Sequence, residues 1–138
     1  HVFEGEAMTV LASEGGEVST QNLDPDCFSS GKQLWFKGQA QQAFVEVDLP
    51  VALSGDYNIK IFFAKSWDYG KVQVFLDGKA MGEQFDGYHP GVVPSGSFEL
   101  GRTRIEAGNH RLKFALVGKN DEAVGYFLGV DAIKVEPL

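Results

Sequence analysis

The stretch YNIKIFFAKSWDYGKVQVFLDG, residues 57–78, decides the fold because apolar and polar residues alternate on both sides of a short loop. The apolar residues of one parity are Tyr57, Ile59, Ile61 and Phe63 before the loop, and Val72, Val74 and Leu76 after it. This alternation is typical of strands that bury one face and leave the other in water. The Asp77-Gly78 pair that follows is typical of a tight hairpin turn. The stretch therefore predicts two half-buried antiparallel strands.

The same pattern extends over the rest of the chain. Apolar residues alternate again in residues 45–49 and 112–116, and turn-forming pairs such as Ser54-Gly55 and Gly108-Asn109 separate the segments. Seventeen glycines and about eight short strands, with no amphipathic helix, predict one all-β domain over residues 1–138. A sandwich or a barrel fits this pattern. Two longer segments, 15–32 and 84–96, are expected to be irregular, and loops of that length are typical of functional sites.

Charge and hydropathy exclude several classes of partner. The chain has 12 basic and 19 acidic residues, a net charge of -7, and no run of lysine and arginine that would neutralise a phosphate backbone. No apolar run approaches the roughly 20 residues needed to span a bilayer. We therefore expect neither nucleic-acid binding nor membrane insertion. Cys27 is the single cysteine, so no internal disulfide is expected. A chain that starts at His1 is expected to be a module cut from a longer protein, or a processed protein.

No catalytic motif stands out. The serines lie in no Gly-x-Ser-x-Gly elbow, Cys27 has no Cys-His context, and the three histidines have no metal-ligand spacing. We therefore expect a non-enzyme. One alternative stays open, a small glycosidase or lyase, because such enzymes need only two carboxylates or a Tyr/His pair facing one cleft. Tyr88 beside His89 is the only hint of this chemistry.

Three carboxylates share the parity of apolar neighbours. Glu4 and Glu6 do so in residues 4–10, and Asp131 does so in residues 131–135. A carboxylate that leans toward the interior is costly unless it is paired or binds a cation. If the first and last strands are adjacent, these oxygens fit a calcium ion. The alternative is that the strand ends project into water and each carboxylate is hydrated or hydrogen-bonded to backbone.

The aromatic residues of loop 66–70 are the first candidates for ligand binding. Trp67 and Tyr69 stand outside the alternation of the flanking strands, in a place where water is expected to reach them. Sugar rings stack on aromatic faces, and sugar hydroxyls need amide, carboxylate or cationic partners at the edge. The residues that fit such a site are Gln33, Trp35, Asp68, Asp86, Tyr88, His89 and Asn120. Of Trp35 and Phe36, one is expected to lie in the core.

Five segments, in order, resemble a known family: FEGEAM (3–8), SGDYNIKIFFA (54–64), VQVFLDGKAMG (72–82), IEAGNHRLKFALVGKN (105–120) and GVDAIKVEP (129–137). Together they resemble the non-catalytic carbohydrate-binding modules of families 6 and 35 and related galactose-binding-like domains of bacterial glycoside hydrolases. The resemblance covers nearly the whole chain and rests on order and spacing.

The resemblance implies a jelly-roll β-sandwich of two antiparallel sheets with a structural calcium. The matching metal ligands are Glu4, Glu6 and Asp131. It also implies a glycan site in the loops at one end of the sandwich. The matching residues there are Trp67 or Tyr69, an aromatic near Trp35 or Tyr88, and Asn120. Asn120 lies eleven residues before Asp131, farther than is usual in family 6.

The expected function is glycan binding that keeps an attached catalytic domain near its polysaccharide. The resemblance implies a protein that is secreted, periplasmic or on the cell surface. A sugar platform rimmed by polar residues is expected to leave the domain monomeric. The alternative from another class is a structural β-sandwich that docks on a catalytic domain or subunit without binding sugar. In that case Trp67, Tyr69 and Tyr88 form an apolar docking patch.

Overall fold

The computed structural model describes all 138 residues and consists almost entirely of β-strands. The eleven strands are β1 (Val2–Glu4), β2 (Val10–Glu14), β3 (Gly16–Asn22), β4 (Lys32–Gly38), β5 (Phe44–Val51), β6 (Gly55–Lys65), β7 (Lys71–Leu76), β8 (Lys79–Asp86), β9 (Val93–Ile105), β10 (Gly108–Gly118) and β11 (Tyr126–Pro137). Single turns of 3₁₀-helix cover Gly5–Ala7 and Ser29–Gly31. No helix reaches the length and apolarity that crossing a bilayer requires.

The strands form two antiparallel sheets packed face to face, which confirms the expected β-sandwich. Sheet A has the order β3-β4-β11-β6-β9, with β1 also paired to β11. Sheet B has the order β2-β5-β10-β7-β8. Neighbours in each sheet are mostly distant in sequence, as in a jelly roll, so the chain crosses repeatedly between the two sheets.

The core lies between the sheets and is built from the alternating residues. In β6 and β7, Ile59, Ile61, Val72 and Val74 are at most 1% exposed. Phe63 stacks on Phe85 with ring centroids 4.1 Å apart. Burying each such side chain contributes about 1.5–3 kcal/mol. The alternation of apolar residues therefore identified the inward faces of the central strands correctly.

The two segments expected to be irregular are shorter than the sequence suggested. Residues 16–22 form β3, an edge strand that pairs along its whole length with β4, and β8 and β9 reduce the second segment to residues 87–92. The pattern in β3 is weak because an edge strand with a partly solvated face needs few apolar residues. The remaining irregular segment, 23–31, crosses the outer face of sheet A.

The two ends of the sandwich differ. Loops 66–70, 87–92 and 119–125 meet at one end, where β6 ends and β7 begins. The Asp77-Gly78 turn and residues 52–54 lie at the other end. Both chain termini are close to this end, because Leu138 N–H donates to Asp56 O and the N-terminal amine of His1 donates to Val135 O. The first of these ends carries most of the candidate ligand-binding residues.

Candidate functional site

Three loops at one end of the sandwich are joined by backbone hydrogen bonds into a single surface, named here the loop platform (residues 66–70, 87–92 and 119–125). Ser66 N–H donates to Gly87 O at 3.0 Å, and His89 N–H donates to Ser66 O at 3.2 Å. Val124 N–H donates to Trp67 O, also at 3.0 Å. These bonds satisfy backbone groups that would otherwise be solvated, so the platform is held as one unit.

Two glycines allow the loops to approach this closely. A Cβ added at Gly87 would lie 2.8 Å from Gly70 O, and one added at Gly70 would lie 2.8 Å from a methyl of Leu116. A Cβ at Gly87 would meet backbone, so no other residue fits there without a shift of the chain, whereas a Cβ at Gly70 would meet the end of a flexible side chain. Gly87 N–H also donates to Gly70 O at 3.0 Å. The sequence thus specifies the closeness of loops 66–70 and 87–92.

The indole of Trp67 is the large aromatic ring that the platform presents to solvent. Trp67 is 48% exposed, which confirms the expectation that water reaches it. Two exposed aliphatic residues lie on the other two loops, Val92 at 46% and Val124 at 75%. The backbone bond between residues 67 and 124 makes Val124 the immediate neighbour of Trp67.

A carboxylate–amide pair joins the end of β8 to the platform. Asn120 Nδ2 donates to Asp86 Oδ2 at 2.8 Å, and Asp86 Oδ1 accepts Tyr88 N–H at 3.0 Å. Asn120 Oδ1 accepts Glu122 N–H, so the amide is fixed at its oxygen as well. A carboxylate oxygen has two lone pairs and an amide nitrogen has two N–H groups. Each oxygen of Asp86 therefore keeps one lone pair, and the Asn120 amide keeps one N–H, for a further hydrogen bond. Preorganised planar groups of this kind suit sugar hydroxyls.

The other predicted residues of this region are also present at the platform. His89 is exposed, and its Nδ1 accepts Gly91 N–H at 3.0 Å, which leaves Nε2 as the second polar atom of the ring. Tyr88 is half-buried and bridges to Ser66, while Asp68 is half-buried and its backbone oxygen accepts Phe127 N–H. Trp67, Tyr88, His89 and Asn120 are therefore brought together, as the sequence predicted.

The prediction that water reaches Tyr69 is wrong. Tyr69 is 4% exposed, and its hydroxyl accepts a hydrogen bond of 2.9 Å from Gln33 Nε2. Burial raises the pKa of Tyr69 to about 12, although the Gln33 amide partly opposes the shift. A ring enclosed in this way has no free face, so Tyr69 is not a stacking surface for a sugar.

Gln33 is also wrongly predicted as a contact residue. Its side chain is fully buried and donates to Gln21 Oε1 at 2.8 Å as well as to Tyr69. The side chain lies on the outer face of sheet A, where alternation predicts solvent, but segment 23–31 and loop 66–70 cover it. Gln33 is therefore part of the support beneath the platform and is not exposed to a ligand.

Trp35 lies beside this buried pair and is half-buried. Its ring contacts Phe127 edge to face at 5.8 Å, and Lys37 Nζ lies 4.4 Å from the ring centroid. Phe36 is fully buried in the core, so the expectation that one of these two neighbours is core is confirmed. The sequence predicted that Trp35 contacts the glycan. Its indole nitrogen is buried, so Trp35 instead supports the loop platform from below.

A second, smaller apolar cluster on the outer face of sheet A carries the platform. Its members, named here the outer cluster, are Leu23, Phe28, Trp35, Ala64, Tyr69 and Phe127. Phe28 is 4% exposed and comes from segment 23–31, which the sequence treated only as an irregular loop. Alternation could not predict this cluster, because its members lie in loops or on the face that the pattern assigns to water.

The acidic residues near the termini lie close together. Glu4 ends β1 and pairs across to Ala132, next to Asp131 in β11, while Glu6 lies in the following 3₁₀ turn. One oxygen of each carboxylate is buried without a hydrogen-bond partner: Glu4 Oε2, Glu6 Oε1 and Asp131 Oδ1. Burial raises the pKa of Asp131, and the charges of Glu4 and Glu6 raise it further, against a hydrogen bond from Ser29 N–H.

Segment 23–31 completes this acidic region. Ser29 Oγ and Ser30 Oγ donate to Glu4 Oε1, and Ser29 N–H donates to Asp131 Oδ2 at 3.1 Å. No group of three acidic, histidine or cysteine side chains has the geometry to bind one metal ion. The donor set is nevertheless all oxygen, and its unpaired buried oxygens fit the needs of a hard cation such as calcium.

Comparison with known proteins identifies solved structures with the same fold. A scan of protein-family models and a search of curated proteins gave no match. A xanthan lyase from Paenibacillus contains a region that superimposes with a TM-score of 0.89 at 26% identity over 100% of this chain. A family 35 carbohydrate-binding module from Clostridium thermocellum matches 99% of this chain and 98% of its own, with a TM-score of 0.62 at 18% identity.

A third match is the CBM36-1 domain of a multidomain xylanase from the hindgut metagenome of Trinervitermes trinervoides. It covers 100% of this chain and 97% of its own, with a TM-score of 0.62 at 16% identity. The chain thus has the β-sandwich fold of carbohydrate-binding modules. It spans nearly the full length of these two isolated modules, but only 13% of the length of the lyase chain.

Proposed function

We propose that the chain is a non-catalytic carbohydrate-binding module that holds a glycan on the loop platform and keeps an attached enzyme near its polysaccharide. The observation that carries this proposal is the half-exposed Trp67 on three loops that backbone hydrogen bonds join to each other. An apolar ring beside fixed polar groups supplies both kinds of contact that a sugar needs. The fold, shared with family 35 and CBM36 modules, supports the same role.

In this function Trp67 stacks on a sugar ring, and the Asp86–Asn120 pair accepts and donates hydrogen bonds to hydroxyls. His89 Nε2 supplies a further polar contact at the rim. Tyr69, Gln33 and Trp35 act from below by holding loop 66–70 against sheet A. The outer cluster therefore preorganises the platform, which reduces the entropy lost on binding.

We also propose that Glu4, Glu6 and Asp131 hold a structural calcium ion, with further oxygens from the neighbouring backbone. The three unpaired buried oxygens and the raised pKa of Asp131 support this proposal. A bound cation would remove the mutual repulsion of the three carboxylates and fix segment 23–31 to both chain ends. Its role is in stability, since the ion belongs to the folded state.

The environment of the protein follows from this function. Polysaccharides that enzymes degrade lie outside the cell, and the matched lyase and xylanase carry the names of such glycans. We infer an exported module that acts as a monomer within a longer protein.

The experiment that tests the function is a polysaccharide array with the wild-type domain and two platform variants. Trp67→Ala is expected to lose roughly 5–140-fold in affinity, because a stacked aromatic contributes on the order of 1–3 kcal/mol. Val124→Ala is the control, since it shortens an exposed apolar side chain on the same platform without removing a ring. Urea unfolding of both variants checks that the fold is retained.

A docking surface is the second candidate function, because Val92 and Val124 extend the exposed apolar surface beyond the indole. In that case no glycan binds, and both Trp67→Ala and Val124→Ala weaken self-association in sedimentation experiments. Binding to a polysaccharide that only Trp67→Ala abolishes would exclude it.

A further inference from the structure

Segment 23–31 is attached to two different parts of the molecule. Its hydrogen bonds to other segments all come from Ser29 and Ser30, and the acceptors are the carboxylates of Glu4 and Asp131. Its apolar side chains instead pack in the outer cluster, beneath the loop platform. The segment therefore connects the acidic region near the chain ends with the proposed glycan site.

The two carboxylates use one oxygen for the segment and bury the other without a partner. Glu4 Oε1 accepts from both serines, whereas Glu4 Oε2 has no hydrogen bond. Asp131 is 7% exposed, its Oδ2 accepts Ser29 N–H at 3.1 Å, and its Oδ1 has no hydrogen bond. A buried carboxylate oxygen without a partner is costly unless it binds a cation. A cation held by these two oxygens would also fix the opposite oxygens, which are the ones that the segment uses.

The backbone of the segment depends on these contacts. Ser30 has φ of 57°, a left-handed conformation that is uncommon for a residue with a side chain. Such a conformation persists only where surrounding contacts hold it. Leu23 N–H donates to Gly31 O at 2.8 Å, so the two ends of the segment are closed on each other as in an Ω-loop. Loss of the serine contacts would therefore release the segment as a unit.

The residue that reaches the platform is the direct neighbour of the residue that binds the acids. Phe28 precedes Ser29, is 4% exposed and packs with Tyr69 in the outer cluster. Tyr69 lies two residues after Trp67 in the same short loop. A shift of Ser29 therefore moves Phe28 and removes apolar contacts that hold the loop of Trp67 in place.

The acidic region and the platform are not in direct contact. Asp131 and Phe127 lie on β11, four residues or about 13 Å of extended strand apart. Phe127 is the residue of β11 that forms a bridge with Tyr69 of the platform loop. A calcium–oxygen bond is only about 2.3–2.6 Å long. An ion at Asp131 would therefore act on the platform through the protein and not through the glycan.

We propose that segment 23–31 couples the acidic region to the loop platform, so that calcium bound near the chain ends raises the glycan affinity of the platform. The proposal rests on the proposed calcium site and the proposed carbohydrate-binding function, and it adds the regulation of that function. Both ligands favour the same closed arrangement of the segment, so each raises the affinity for the other by the same factor. Coupling of this kind corresponds to about 5–150-fold. Backbone hydrogen bonds also hold loop 66–70, so we expect the low end, about five- to tenfold.

Amide hydrogen exchange of the wild-type domain, in calcium and in chelator, tests the coupling without any glycan. Calcium should slow exchange in residues 23–31 and at the Tyr69 and Gly70 N–H groups of the platform. The Asp77 N–H, which donates to Arg111 O at 2.8 Å in sheet B at the far end of the sandwich, is the internal control. Its exchange should change much less.

A binding cycle by isothermal titration calorimetry tests the same coupling with glycan. The probes are cellohexaose, xylohexaose and mannohexaose, each with and without calcium. Phe28→Ala should still bind calcium, but calcium should change neither its oligosaccharide affinity, within about twofold, nor its exchange at Tyr69. Phe28→Leu keeps an apolar side chain, should fold more readily, and should retain an intermediate calcium effect. Phe75→Ala is the matched control, because it removes a half-buried ring from the outer face of sheet B and should keep the full effect.

Several results would overturn the proposal. A wild type that binds no calcium, or one whose exchange at Tyr69 and Gly70 ignores bound calcium, would each do so even if an oligosaccharide binds. An undiminished calcium effect in both Phe28 variants would do so too, because the coupling would then run through β11 or through contact of the ion with the glycan. A wild type that shows the exchange response and binds no oligosaccharide would support the coupling and count against the proposed function.

Discussion

Replacing Tyr69 by phenylalanine tests whether this residue supports the platform or contacts the glycan. The substitution keeps the buried ring and removes only the hydroxyl that accepts from Gln33 Nε2 at 2.9 Å. Gln33 is fully buried, and its second amide N–H already donates to Gln21. One buried N–H is therefore left without a partner.

The expected cost is about 1–3 kcal/mol of unfolding free energy, the usual cost of an unsatisfied buried donor. With a urea m-value of about 2 kcal/mol/M, the unfolding midpoint falls by about 0.5–1.5 M at unchanged m. Tyr126→Phe is the matched control, because Tyr126 is half-buried and its hydroxyl makes no protein hydrogen bond. Its expected change is below about 0.5 kcal/mol.

Glycan affinity is the second readout for the same variant. Because the Tyr69 hydroxyl faces Gln33 and not the solvent, the folded Tyr69→Phe variant should bind a platform glycan within about threefold of the wild type, or 0.7 kcal/mol. A variant of wild-type stability that no longer binds would refute the reasoning, since the hydroxyl would then contact the sugar directly. A variant that changes neither property would refute the hydrogen-bond network.

Two further predictions concern titration and metal binding. Partial burial lowers the pKa of His110, but its bonds to Asp77 Oδ2 and Glu106 O, both at 2.6 Å, outweigh this and raise the pKa above its usual value. The stability from protonated His110 is therefore fully present below its unfolded pKa of about 6.5 and is lost as pH rises through the raised folded pKa. Urea unfolding should show that His110→Gln loses more unfolding free energy, relative to the wild type, near pH 6 than near pH 9. These values lie about 0.5 units below and about 2.5 units above the unfolded pKa. An equal loss of unfolding free energy at both pH values would contradict the prediction. For the metal, calcium at about 100 times its dissociation constant should stabilise the wild type by about 2.7 kcal/mol over chelator. Asp131→Asn should lose this response and be the more stable protein in chelator, because it removes a buried carboxylate repelled by Glu4 and Glu6. A wild type that does not respond to calcium would rule out the site.

Much of the fold and part of the site are predictable from local patterns. Alternation identified the inward residues of β5, β6, β7 and β10, because each residue of a half-buried strand takes its face from its parity alone. The same parity selected Glu4, Glu6 and Asp131 as candidate metal ligands, although residues 5–7 form a 3₁₀ turn and do not continue the strand. Trp67 was found because an apolar ring in a polar loop breaks the pattern.

The difference between Trp67 and Tyr69 was decided only by tertiary structure. Both are aromatic, two residues apart in one loop, and nothing local distinguishes them. Segment 23–31 folds over the outer face of sheet A, brings Phe28 against Tyr69, and leaves Trp67 outside. Gln33 becomes buried for the same reason, on a face that alternation assigns to water.

The sequence by itself determined which residues face the core, because the period of two along a strand is a local property of the backbone. Only the tertiary structure decided which surfaces are left open, because a loop from elsewhere in the chain can cover an outward face, as segment 23–31 does over Tyr69 and Gln33. Those events depend on contacts between segments distant in the chain, and no local pattern encodes them.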